Sequence, residues 1–278
     1  MKVTDSIEQT RRFRWSEPDR QWGLVPTMGF LHAGHLSLVR RARAENDRVA
    51  VSIFVNPTQF APGEDLAVYP RNTERDLALL RNEQVDLVLV PDEAQIYPPG
   101  FQTTVTVAHV SRPLEGASRP THFQGVATVV AKLFNIFQPT RAYFGQKDAQ
   151  QAVVIRRMVS DLNFNLEIVL CPIVREQDGL AMSSRNVRLT QQQRAAAPVL
   201  HNALLDAEER IARGETSADI LRSAMIRAVE AEPLARLDYF SVADPDTLEE
   251  LLVVDGQALL SGAVFFGNVR LIDNILLA

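Results

Sequence analysis

Short apolar runs alternate with helical periodicities through the first two thirds of the chain. Residues 22–26 (WGLVP), 49–55 (VAVSIFV) and 85–91 (VDLVLVP) read as strands, the second nearly continuous in Val, Ile and Phe, as a strand buried on both faces would be. Residues 142–145 (AYFG) and 166–174 (LEIVLCPIV) give two more. Between them, 35–44, 73–83, 125–137 and 149–162 carry helical spacing. Residues 103–107 (TTVTV) alternate and predict a further strand outside the main sheet. Strands separated by helices imply parallel βαβ units, hence an α/β, doubly wound sheet with ligands at the carboxyl ends of its strands.

After Asn186 the texture changes. Residues 189–214 read as one polar-faced helix stopped by Gly214, and 217–232 as a second, followed by strands over 237–244 and 258–275. We therefore expect a catalytic domain over 1–186 and a smaller α+β domain over 187–278, acting as a lid.

The composition is that of a globular protein, with 46% hydrophobic and 23% charged residues among 278. The net charge of −5 gives no footprint for nucleic acid or a membrane surface. Cys171 is the only cysteine, and the chain shows neither a secretory h-region nor a long apolar span, so a reducing, cytoplasmic setting is expected.

The chemistry-bearing residues follow the strands. After residue 26, Gly29 and Gly34 give backbone freedom, while His32 and His35 lie where a helix begins and its amides favour an anion. This is neither a dinucleotide fingerprint, a P-loop nor a zincin motif. Asn56 and Gln59 follow the second strand, Gln59 able both to donate and to accept. Lys147 and Asp148 open a helix after residues 142–145, with Gln150 and Gln151 behind them. Ser183, Ser184 and Arg185 follow the last strand and suit a phosphate chain. Arg119 and His122 precede the long apolar helix, where Arg119 suits a carboxylate or phosphate.

Each loop alone has an ordinary reading as a turn, a cap or a linker. Together they describe a polyphosphate site without a cysteine nucleophile or a Ser–His–Asp order, which points to nucleotidyl transfer. A plain nucleotidyltransferase and a catalytically inert nucleotide sensor remain open at this point.

The stretches PTMGFLHAGHLSL (26–38), SIFVNPTQF (52–60), YPR (69–71), RPTHFQGV (119–126), FGQKDAQQ (144–151), GLAMSSRN (179–186) and the closing RLIDNI (270–275) resemble, in order and spacing, the pantoate–β-alanine ligases. A wider resemblance is to nucleotidyltransferases and class I aminoacyl-tRNA synthetases. The resemblance implies a Rossmann-like catalytic domain, a homodimer, and condensation of pantoate with β-alanine through pantoyl adenylate, with Mg²⁺ accompanying ATP. It implies ATP contacts at Met28, Gly29, Phe30, Leu31, His32, Ala33, Gly34 and His35, and further ones at Gly145, Gln146, Lys147, Asp148, Val174, Met182, Ser183, Ser184 and Arg185. By the same resemblance His35 is the proton donor, with His32, Lys147 and the Ser183–Arg185 loop completing the catalytic set. Gln59 and Gln151 become substrate contacts, with Asn56, Arg119 and His122 supporting them; Asp76 is a candidate for the metal. Two departures stand out: Gln146 where a glutamate is frequent, and Ala149 where an aromatic is frequent.

Overall fold

A computed structural model describes residues 1–277. By contact density the chain divides into two compact units: residues 1–145 with 154–172, and residues 146–153 with 173–278. That division falls after Pro172, whereas the change of sequence texture falls near Val187.

In the first unit the order is β1 (Lys2–Thr4), α1 (Ile7–Trp15), β2 (Trp22–Thr27), α2 (Ala33–Glu45), β3 (Arg48–Ile53), α3 (Thr73–Asn82), β4 (Leu87–Leu89), α4 (Glu93–Ile96), α5 (Glu115–Ser118), α6 (His122–Phe137), β5 (Arg141–Gly145), α7 (Ala149–Asp161) and β6 (Glu167–Cys171). The first turn of α7 groups with the other unit. The six strands form one parallel sheet in the order β1-β4-β3-β2-β5-β6. Strand residues alternate between its faces. Trp22, Leu24, Leu87, Leu89, Ala142 and Phe144 enter one core with α6, while Val25, Val49, Val51, Val88 and Tyr143 enter the other with α2. Both faces are covered, which explains the continuous apolar runs.

Strand order reverses between β2 and β5. These two pair only at Gly23↔Arg141 and Leu24↔Ala142, whereas β2 follows β3 as far as Thr27↔Ile53. The sheet therefore opens toward the carboxyl ends of β2 and β5, the switch point where such sheets take ligands.

Two sequence expectations change, and one stretch without an expectation gains elements. Residues 103–107 are not a strand; Val105 and Val107 pack on the core, and the Val105 amide donates to the Thr128 hydroxyl (2.9 Å) rather than to a neighbouring strand. The first fifteen residues, left unassigned above, form β1 and α1. The helix expected over 189–214 is two helices, because proline cannot continue a helix from its interior.

Those two helices belong to the second unit. It holds α8 (Gln191–Ala196), α9 (Val199–Ala212) with Pro198 at its N-cap, α10 (Ala218–Glu230), and the antiparallel strands β7 (Ala235–Ala243), β8 (Ala258–Phe266) and β9 (Val269–Leu277) in that order. Leu200, Leu204, Leu221 and Met225 bury one face of α9 and α10 against Phe240, Leu260, Val264 and Phe266. No helix among the described residues is long and apolar enough to cross a membrane.

Candidate active site

At the end of β2 the chain is held before it turns. The Thr27 hydroxyl donates to the Ser52 carbonyl (2.8 Å) and accepts the Gly29 amide (3.2 Å). Gly29 then takes φ +81°, which disfavours any residue with a Cβ. A Cβ there would also lie 3.0 Å from Ile53 Cγ2 and 3.2 Å from an Asp76 oxygen. Phe30 follows at φ 51°, unusual for a non-glycine residue. Asp76 is what holds it. That carboxylate, 1% exposed, accepts the Phe30 amide at Oδ2 (2.6 Å) and the Leu31 amide at Oδ1 (2.8 Å). Asp76, suggested above for a metal, thus spends both oxygens on two loop amides. Gly34 sits inside the first turn of α2 without a positive φ, so of the two glycines only Gly29 serves the turn.

His32 is the N-cap of α2. Its Nδ1 accepts the Gly34 amide (3.2 Å), and His35 Nδ1 accepts the His32 amide (3.3 Å). An amide can only donate, so both Nδ1 atoms are bare and the ring proton of each imidazole is on Nε2. The rings lie 4.0 Å apart between centroids. With these bonds in place, each ring of the helix start keeps an N–H on Nε2.

A second cluster surrounds Gln59, in the 3-10 turn Pro57–Gln59. Asn56, 1% exposed, donates to Gln59 Oε1 (3.1 Å) and to the Gly125 carbonyl (3.1 Å), while Tyr97 and Thr58 donate to its Oδ1 (2.8 and 2.9 Å). Gln59 Nε2 reaches Met28 Sδ (3.2 Å), linking this cluster to the histidine loop. The Gln59 carbonyl accepts from His122 Nδ1 (2.9 Å) and Arg119 Nη2 (3.2 Å). Burial, and then the Arg119 cation, push the His122 ring down to about 4, so it is neutral at pH 7. Arg119, read above as a carboxylate or phosphate ligand, pairs with both oxygens of Glu64 (2.9 and 2.6 Å). Burial pushes the Glu64 carboxyl up, but the Arg119 guanidinium outweighs it and holds it below the usual range. Arg119 and His122 therefore grip the backbone of Gln59. Gly125 lets α6 come close: a Cβ there would sit 2.4 Å from the Thr58 carbonyl oxygen and 2.6 Å from the Gln59 nitrogen.

In the second unit, Lys147 lies in the 3-10 turn Gln146–Asp148, its Nζ 3.6 Å from Asp148 Oδ1. On α7, Gln150 is 4% exposed while Gln151 is more open. Residues 174–182 form a hairpin: the Met182 amide bonds the Val174 carbonyl (3.0 Å), Arg175 bridges Ala181, and Gly179 turns at φ +90°. The chain leaves it into Ser183, whose hydroxyl caps the 3-10 turn Ser184–Arg188 by accepting the Arg185 amide (3.2 Å). Ser184 is buried, Arg185 half-buried.

Sequence reasoning missed Glu64, Tyr97 and Asn274. Tyr97 and Glu64 act on Asn56 and Arg119 from separate loops, and Asn274 bonds the Gln146–Lys147 turn from β9. No local motif announces any of the three.

The family model for pantoate–β-alanine ligase matches residues 2–276. The pantothenate synthetase of Roseiflexus sp. (strain RS-1) is 61% identical over 277 residues, covering 100% of this chain and 99% of that protein. That of Thermotoga neapolitana is 52% identical over 279 residues, covering 100% of both. Among solved structures, the Thermus thermophilus pantothenate synthetase superposes with a TM-score of 0.95 at 48% identity, covering 99% of each chain. The Francisella tularensis pantoate–β-alanine ligase, solved with β,γ-ATP and β-alanine, gives 0.80 at 36% identity over 99% of this chain and 97% of that one. Matched from end to end, with the histidine-capped helix at the sheet's switch point, the chain belongs to the pantoate–β-alanine ligase family.

Proposed function

We propose that the protein activates pantoate with ATP and joins the acyl group to β-alanine. A pantoate carboxylate oxygen attacks the α-phosphorus; the bond to the bridging oxygen breaks and pyrophosphate leaves. The β-alanine amine then attacks the acyl carbon of pantoyl adenylate and loses a proton. AMP departs with the electrons of the acyl–oxygen bond, leaving pantothenate.

The observation that carries this reading is the start of α2, where His32 and His35 hold their Nδ1 atoms on backbone amides and their protons on Nε2. His35 Nε2–H donates to an α-phosphate oxygen as charge gathers there, with His32 beside it. Met28, Gly29, Phe30, Leu31, Ala33 and Gly34 supply backbone against the nucleotide. Lys147 and Arg185, with the Ser183 and Ser184 hydroxyls, take the β- and γ-phosphates as cations and donors. Gly145, Gln146, Asp148, Val174 and Met182 contact the rest of the nucleotide. Gln59 and Gln151 bind pantoate, and Gln59 also meets β-alanine; Asn56, Arg119 and His122 keep Gln59 in place. Mg²⁺ enters with ATP as substrate. The ion is held mostly by ATP oxygens and water.

The test is exchange of labelled pyrophosphate into ATP without β-alanine. Exchange that requires pantoate is expected. Exchange without pantoate, or none with it, overturns the adenylate route.

A further inference from the structure

The closing stretch of the sequence, residues 270–275 (RLIDNI), has no part in the reaction described above. It lies on β9, where neighbouring side chains point to opposite faces. Asn274 is only 3% exposed. Its Nδ2 donates to the carbonyls of Gln146 (2.9 Å) and Lys147 (3.0 Å), and its Oδ1 accepts from Gln146 Nε2 (2.9 Å). All of its side-chain bonds therefore go to one short turn, the one that carries Lys147. The turn runs from β5 straight into α7, and the Asn274 bonds tie both of its first two carbonyls to β9. On the other face, Asp273 accepts both terminal nitrogens of Arg175 (2.6 and 3.0 Å) and the Asn274 amide (2.8 Å), which fixes the strand where Asn274 leaves it.

We propose that Asn274 is a positioning residue for adenylation, setting the backbone of Gln146 and Lys147 so that the Lys147 ammonium is aimed at the triphosphate. The inference rests on the phosphate role proposed for Lys147. A displaced cation loses most of its worth to the transition state, since misplacement by about 1 Å costs on the order of 10²-fold. A structural role alone would instead lower stability and leave the rate per folded molecule unchanged.

The experiment is a double-mutant cycle on pantoate-dependent pyrophosphate exchange, with each rate read below that variant's own unfolding midpoint. Asn274→Ala is expected to lower kcat by about 10–10²-fold with the KM for pantoate unchanged. Asn274→Asp keeps the side chain's size and its acceptor but removes both donated bonds, and is expected to lose rate similarly; it serves if the alanine variant does not fold. In a Lys147→Ala background either change is expected to cost less than about twofold, because the group it acts through is gone. Full multiplication of the two effects overturns the proposal, as does wild-type turnover in the Asn274 variants. Near-wild-type exchange in Lys147→Ala alone overturns the phosphate reading itself, and the inference with it. That failure is told apart from the others because it appears without any change at Asn274.

Discussion

The two sets of groups proposed to meet the triphosphate are held in different ways. His32 and His35 are fixed from within their own segment: each ring is bonded to an amide two or three residues away, and one buried carboxylate from α3 secures the turn before them. Lys147 stands on a turn whose carbonyls are bonded by a side chain 127 residues further along. The two rings find their partners within one helix start, with only Asp76 brought from α3. A remotely supported turn depends on a complete fold, and its geometry responds to changes far away in sequence.

Variants sharpen this contrast, beginning with the groups proposed to contact the phosphates. His35→Ala and Lys147→Ala are each expected to slow adenylation by about 10²–10⁴-fold while urea unfolding stays near wild type; a loss of less than tenfold in either removes its assignment. Asp76→Ala strips both acceptors from the Phe30 and Leu31 amides. The expected result is a loss of about 1–3 kcal/mol and a large fall in kcat/KM for ATP, with Asp76→Asn intermediate because one oxygen remains. Equal activity in all three proteins contradicts the view that the carboxylate shapes the loop. Gly125→Ala forces a methyl into the Thr58–Gln59 backbone, and steady-state kinetics should show a higher KM for pantoate with little change for ATP.

The last effect, at His122, is on stability rather than on rate. Its folded value of about 4 lies below the ordinary 6.5, so the unfolded chain binds the extra proton between these two values. Its contribution to stability is complete above about pH 6.5 and is lost as pH falls toward 4. His122→Gln keeps a donor for the Gln59 carbonyl and should flatten that part of the stability–pH curve, measured by chemical unfolding.

The parallel sheet was legible because strands buried on both faces leave continuous apolar runs such as residues 49–55. The first helix was hidden because its buried residues are Thr10 and Arg14, the latter donating to the Gln138 carbonyl at the end of α6 (3.2 and 3.3 Å). An apolar stripe was therefore missing, although Ser6 capping the Gln9 amide was a usable start signal. Residues 103–107 show the reverse error, since alternation describes a chain lying on a core whether or not a strand lies beside it. Among the candidate site residues, Arg119 shows what residue type cannot reveal. Its charge was visible, but its commitment to Glu64 depends on a loop 55 positions away. The tautomers of His32 and His35 likewise needed the amide positions.

The Lys147 turn has a practical consequence for chemical labelling. Lys2, Lys132 and Lys147 are the chain's lysines, and arginine supplies the rest of its positive side chains. Lys2 lies over the Phe13 ring and Lys132 over Phe101, at 5.4 and 4.4 Å from the ring centres. An amine-acylating reagent therefore meets few side chains, each on its own proteolytic peptide. If Lys147 takes the phosphates as proposed, mass spectrometry of its peptide, with Lys2 and Lys132 as internal standards, is expected to show ATP-dependent protection at that one amine.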